Sequence, residues 1–290
     1  MKGKSILEVV IVFALMSLLT WWLNAQLQSL GFEARRWLGG FIFIALSLII
    51  MALTRRPWRE YGLTLKDWRL SFDAGMTGYV ARFIPMGVLF AVVLLGENYR
   101  WSWPGSVILL IAGIAGIWLL LTMLKRQDAK DPSGDVRRSK VKNNLILLGG
   151  LLLLPIVLSL FTGRATLLVT STVLWQLIVS GFGEEIRYRG YYQSRVNQEF
   201  GRPYQIMGIR FGPGLIVSSI FFGLVHATQT FNPLLGQYDL AWPWGLWTLI
   251  GGFFFGLLRE KTDDVTACTI AHGGLDAAGE GLAIVMGLTL

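Results

Sequence analysis

Apolar runs recur along the whole chain, separated by short polar stretches rich in lysine and arginine. Nine runs cover roughly residues 6–23, 37–53, 78–95, 105–124, 145–162, 168–193, 212–229, 244–258 and 265–288. Each is near the length, about 20 residues, that a helix needs to cross the hydrocarbon of a bilayer. No water is present there to satisfy backbone N–H and C=O groups, so a helix is the form such runs take. The pattern predicts an all-α, polytopic transmembrane helix bundle. The eighth run is short, which puts the expected count at eight to nine spans. Pro104, Pro213 and Pro243 stand at the starts of runs, where a missing N–H costs little. Pro85 and Pro155 fall inside runs and are expected to kink them. Trp21, Trp22, Trp37, Trp101, Trp103, Trp242 and Trp244 lie at run ends, as in an interfacial aromatic belt.

The loop charges orient this bundle. Lys2 and Lys4 precede the first run, and Arg55, Arg56, Arg59, Lys66 and Arg69 follow the second. The stretch after the fourth run, KRQDAKDPSGDVRRSKVKNN, carries seven lysines or arginines, and Arg195, Arg202 and Arg210 follow the sixth. Alternate loops are poor in both; QTFNPLLGQYDLAWP has neither. The asymmetry predicts a cytoplasmic N-terminus, in the plasma (inner) membrane of a bacterium or the endoplasmic reticulum of a eukaryote. The first 23 residues resemble a signal peptide, but WWLNAQLQ offers no small-residue cleavage site, so they are expected to stay as the first span. The segment 125–144 is expected to be a polar cytoplasmic loop. It divides N-terminal transmembrane helices over 1–124 from C-terminal ones over 145–290.

Composition narrows the chemistry. Of 290 residues, 53% are hydrophobic and 15% charged, which excludes a soluble enzyme. The net charge of +8 sits in loops where it sets topology, so no nucleic-acid partner is implied; the bilayer itself is the expected partner. Cys268 is the only cysteine, which excludes a disulfide framework and a cysteine-based metal site.

The ionisable residues inside the runs carry the remaining signal. GFGEEIRYRG, residues 181–190, places Glu184, Glu185, Arg187 and Arg189 at the end of the sixth run. A charge at the centre of a membrane helix costs roughly 2.5–3.5 kcal/mol before any partner offsets it, so such residues usually face the interior and mark function. Both histidines of the chain, His226 and His272, also lie in apolar runs. Helical spacing pairs Glu185 with Arg189, His272 with Asp276, and Phe222 with His226, each four residues apart. Glu184 points about 100° away from Glu185 and is left to face the histidines. Glu8 and Arg82 lie near run ends without an evident partner, and snorkelling to the interface is their default, as it is for Arg187.

These residues suit peptide hydrolysis in two ways. Glu184 can activate water as a general base, with the histidines stabilising the oxyanion. Alternatively His226 and His272, with Glu184 as ligand or base, bind a zinc ion that lowers the pKa of its water. The soluble metalloprotease signature H-E-x-x-H is absent, so Zn2+ and a metal-free reaction both stay open.

Three motifs sharpen this reading. EEIRYRG resembles the E-E-x-x-x-R motif of the CAAX protease and bacteriocin-processing family, intramembrane proteases that include type II CAAX prenyl endopeptidases. FGLVH, Phe222 to His226, resembles its F-x-x-x-H motif, and HGGLD, His272 to Asp276, its third motif, usually H-x-x-x-N. The three occur in the family's order over roughly residues 168–290. The resemblance implies an all-helical protease whose site lies inside the bilayer, acting on a membrane-associated or prenylated peptide. It implies Glu184 as the water-activating carboxylate, Glu185 and Arg189 as support, and His226 and His272 as catalytic or oxyanion-stabilising groups. Asp276 takes the place of the asparagine, and Phe222 and Tyr188 are the expected substrate contacts. An ionised Asp276 cannot donate to an oxyanion, so it is expected to orient His272 or bind a metal instead. A bacteriocin self-immunity factor, or a transporter with a Glu–His proton relay, is the competing function class.

Overall fold

The computed structural model describes residues 3–96, 98, 101–133 and 135–288; Lys2, one of the expected topology signals, lies outside them. The chain is a bundle of helical rods. The first half contributes α1 (Lys4–Gln26), α2 (Phe32–Leu53), α3 (Trp68–Ala81), α4 (Phe83–Leu94), α5 (Trp103–Lys130) and α6 (Asp135–Thr162). The second half opens with one continuous rod over Thr166–Phe200. It runs from α7 (Thr166–Trp175) through π-helical turns at Gln176–Glu184 and Ile186–Gln193 into α8 (Ser194–Phe200). There follow α9 (Pro213–Ala227) and α10 (Trp242–Thr262). The last rod is α11 (Thr266–Thr269), a π-helical turn at Ile270–Gly274, and α12 (Leu275–Met286).

The nine apolar segments thus each become a helical rod. Six of the rods among the described residues are long and apolar enough to cross a membrane: Lys4–Ser29, Phe32–Leu53, Trp68–Leu94, Trp103–Lys130, Arg138–Thr162 and Thr166–Phe200. Pro213–Ala227 is a shorter apolar helix. Their outer faces stay apolar, with Leu7, Leu15, Ile111, Trp118 and Phe161 all exposed, as lipid contact requires.

Two expectations fail here. The segment 125–144 is not a loop: α5 runs on to Lys130 and α6 begins at Asp135. Both helices continue past the apolar limit because lysine, arginine and glutamine are good helix formers. The third run also begins earlier than its hydropathy suggests, at Trp68, because SFDAGMTG is polar yet buried. That helix, α3, is buried at ten of its fourteen residues and is a central rod of the bundle. It ends at Ala81, and α4 restarts at Phe83. Pro85 explains the break: without an N–H it cannot bond the Ala81 carbonyl, and its ring displaces that turn. Arg82 is left at the break. Pro155, by contrast, sits inside an uninterrupted α6.

Small residues let the rods approach. A Cβ on Gly223 would lie 2.8 Å from the Gly245 carbonyl oxygen, and one on Gly252 would lie 2.8 Å from Ser219 Cα, so α9 and α10 touch backbone to backbone. Gly181 and Gly273 bring the two π-helical rods together: a Cβ on Gly181 would stand 2.6 Å from Gly273 Cα. Gly181→Ala is therefore expected to destabilise the fold by about 1–3 kcal/mol, since the rods must part. Gly149→Ala on α6, with nothing within 4 Å of the added carbon, is the control and is expected to cost nothing. Unfolding of both variants in detergent checks the difference.

Connections gather at two ends. At one end Glu199 accepts from the backbone N–H groups of Gly3 and Ser5, Arg195 pairs with Glu8 at 2.7 Å, and Lys261 pairs with Asp128. This end also holds the 54–67 segment, whose Gly62 carbonyl accepts from Val265 N–H, and the hairpin of β1 (Tyr204–Ile206) and β2 (Ile209–Phe211). At the other end Asn232, in a second small hairpin of β3 (Phe231–Asn232) and β4 (Gln237–Tyr238), donates to the Trp21 carbonyl at 3.1 Å. The basic loops thus share one end.

Candidate active site

The ionisable residues of the spans meet where the two π-helical rods cross α3, α9 and α10. Glu185 Oε1 accepts from Arg189 Nη1 at 2.9 Å, the pair that helical spacing predicted. The same Oε1 lies 2.8 Å from His272 Nδ1. His272 Nε2 lies 3.3 Å from Asp276 Oδ2, and Asp276 Oδ1 accepts from Arg82 Nη2 at 3.0 Å. Arg82 also donates to the carbonyl oxygens of Ala271 at 2.8 Å and His272 at 3.2 Å. One polar chain therefore runs Arg189–Glu185–His272–Asp276–Arg82. An arginine at each end supplies the charge that three carboxylates nearby need at this depth.

Both ring nitrogens of His272 face carboxylate oxygens, and an ionised carboxylate only accepts. The Nδ1 contact with Glu185 is a hydrogen bond, while Nε2 sits at ion-pair distance from Asp276. Glu185 and Asp276 together thus clamp the ring and fix its plane. Phe255 stacks on it at 4.5 Å with an interplanar angle of 22°. His226 is set differently. Its Nδ1 lies 2.7 Å from the Phe222 carbonyl oxygen, one turn back on α9, so Nδ1 is the donor and Nε2 is the nitrogen left for other work. Trp244 meets this ring edge-on at 5.7 Å. His226 joins the cluster electrostatically through His272, Arg189 and Asp276.

Glu184 stands apart. It feels the charges of His272, Arg187, Glu185 and Arg189, yet its Oε2 is buried without a hydrogen-bond partner. The expected division of labour between the two glutamates is thereby altered: Glu185, not Glu184, grips His272. Glu185 sits at the junction of the two π-helical turns, and the close approach of Gly181 to Gly273 brings the His272 rod against it.

Phe222 and Tyr188, the expected substrate contacts, are 2% and 1% exposed. Their rings meet at 5.0 Å, and Arg189 lies 4.4 Å above Phe222. In this structure their surface is spent on walling the site. Three snorkelling assignments are also corrected. Glu8 binds Arg195 and accepts from Tyr191 Oη at 2.8 Å. Arg187 lies over the Phe43 ring at 4.6 Å. Arg82 ends the polar chain. The signal for Arg82 was present, an arginine three residues before an in-span proline, but its partner is 194 residues away.

The donors do not fit a conventional zinc site. No group of three His, Cys, Asp or Glu side chains converges among the described residues. Of the expected set, His272 Nδ1 is taken by Glu185 and its Nε2 lies 3.3 Å from Asp276, while His226 Nε2 and Glu184 have no hydrogen-bond partner among the described residues. No step is derived through a metal.

Comparison with known proteins matches residues 165–278 to the family described as type II CAAX prenyl endopeptidase Rce1-like. No curated protein and no solved structure matches the chain. The matched segment runs from the start of α7 into α12 and contains all three motifs. Residues 165–278 are thus similar to a CAAX-protease-type domain, in keeping with the motifs. Members of that family are peptidases that act on membrane-associated substrates, and the matched segment here lies in a bundle with six helices long and apolar enough to cross a membrane among the described residues.

Proposed function

We propose, from the Rce1-like character of residues 165–278, that the chain is an intramembrane endopeptidase in which Glu184 activates the attacking water. The observation that carries this reading is that Glu184 has a buried, unpartnered Oε2 and no ion pair among the described residues, whereas Glu185, whose Oε2 is likewise unpartnered, already holds Arg189 and His272 through Oε1. An unsatisfied carboxylate oxygen is costly to hold in a dry interior, and a water that donates to it offsets that cost. Glu184 then takes a proton from this water as its oxygen bonds to the scissile carbonyl carbon. His226 Nε2, left free by the Nδ1–H bond to the Phe222 carbonyl, and His272 are the groups placed beside the oxyanion that forms. The C–N bond breaks as the proton held by Glu184 passes to the departing amine. Arg189 and Arg82 do not touch the reacting atoms in this scheme. They hold Glu185 and Asp276, which hold His272.

The substrate class is a peptide at or within the bilayer, with a prenylated C-terminal CAAX-type sequence as the first candidate. The basic end, with its clustered loops, is the cytoplasmic one on this reading. The test is cleavage by the full chain reconstituted in liposomes, with a farnesylated CAAX peptide and its unprenylated counterpart, and products mapped by mass. Cleavage that persists in excess chelator is expected. Stoichiometric zinc together with chelator-sensitive cleavage would overturn the metal-free step. No product from any membrane peptide would favour the immunity or transport reading.

A further inference from the structure

A second charged site lies at the basic end, away from the histidines. A cleft of about 740 Å³ is lined by five arginines, Arg56, Arg59, Arg202, Arg210 and Arg259, against two carboxylates, Glu60 and Asp263. Three segments distant in sequence build it: the 54–61 turn after α2, the α8–β2 region and the end of α10. The carboxylates are already engaged. Arg56 pairs with Glu60 at 3.2 Å, and Asp263 binds Arg202 at 2.5 Å and Arg259 at 3.5 Å. Arg259 is buried and pinned further by Ser194 Oγ at 3.0 Å and the Glu60 carbonyl at 3.4 Å. Arg59 and Arg210 have no carboxylate partner among the described residues, and both are exposed. Arg202 also pairs at 2.5 Å with Glu260, buried behind the cleft, so the cleft has a fixed cationic floor, two free guanidinium arms and an excess of two positive charges.

We infer that this cleft binds the phosphate headgroup of an anionic phospholipid. Guanidinium forks match phosphate oxygens two at a time. Two observations point to a lipid as the source of the phosphate. The cleft lies at the end of the bundle, where helix ends meet the headgroup layer and exposed Trp58 sits beside it. Arg56 also lines an adjoining groove of about 410 Å³, in which Ile50 and Leu53 of α2 stand opposite the Glu8–Arg195 pair and Tyr191. Leu53 is 75% exposed there, so an acyl chain can follow α2 into the bilayer while its phosphate stays at the arginines.

The experiment is a binding titration of the full chain in neutral detergent, read by native mass spectrometry and by thermal unfolding. Phosphatidylglycerol, phosphatidylcholine of the same chains, and inorganic phosphate are the three ligands. Phosphatidylglycerol is expected to bind and raise the unfolding temperature, while the other two do neither. Arg59→Gln with Arg210→Gln should weaken it roughly ten- to thirtyfold. Arg59→Lys with Arg210→Lys should keep most of the affinity, which separates charge loss from misfolding. Equal binding of both lipids, or undiminished binding to the glutamine pair, would overturn the site. Equal stabilisation by inorganic phosphate would overturn the lipid as its ligand.

Discussion

Glu184→Gln is expected to lower kcat by about 10²–10⁴-fold, the range for loss of a positioned general base, while the protein stays folded and inserted. The amide has the same shape as the carboxylate, and Glu184 Oε2 makes no hydrogen bond whose loss would loosen the fold. Glu185→Gln gives the contrast. Glu185 and Arg189 are both 0% exposed, and the substitution strips a buried guanidinium of its anion and His272 of one clamp. A stability loss of about 3–5 kcal/mol is expected for breaking such a pair. Activity against a reference peptide and unfolding in detergent, measured on both variants, separate the two roles. If Glu184→Gln still cleaves at near the parent rate, Glu184 is not the base.

Arg82→Gln is expected to cost about 3 kcal/mol, the low end for a broken buried ion pair, because Arg82 and Asp276 keep 14% and 17% exposure. It leaves Asp276 as an uncompensated charge within the span and frees the ring of His272, so kcat should fall with stability. Asp276→Asn alone is expected to cost less, since Arg82 still donates to the Ala271 and His272 carbonyls. The decisive variant is Arg82→Gln combined with Asp276→Asn. Both charges are then gone together, and the neutral amide of the family's usual third motif is restored. The pair should recover about 1–3 kcal/mol relative to the sum of the single changes. Strict additivity in detergent unfolding would show that Arg82 and Asp276 do not act as a unit.

Those two variants probe residues of unequal visibility. Glu185 and Arg189 lie four apart in one rod, and their contact follows from helix geometry whether the local turn is α or π. His272 and Asp276 are legible for the same reason. Arg82 was not. An arginine near the end of an apolar run has a cheap default, reaching for water, and nothing within a few turns of it signals a carboxylate 194 residues away. The start of α3 was hidden because burial inside a bundle tolerates Ser71, Asp73 and Thr77 that a hydropathy window counts against a span. The helical extensions of α5 and α6 were hidden because polarity marks the edge of lipid, not the end of a helix.

The sequence by itself determined the all-helical membrane architecture, the order of the rods and the residue types at the site. Each of these follows from local quantities: the length of an apolar run, the scarcity of charge within it, and the spacing of side chains along one helix. Only the tertiary structure decided which glutamate holds His272, that Asp276 is matched by Arg82, and that five arginines from three segments share one cleft. Those facts depend on which faces of different rods meet. Packing between rods is set by close contacts such as Gly181 against Gly273, a relation between positions 92 residues apart that no local pattern records.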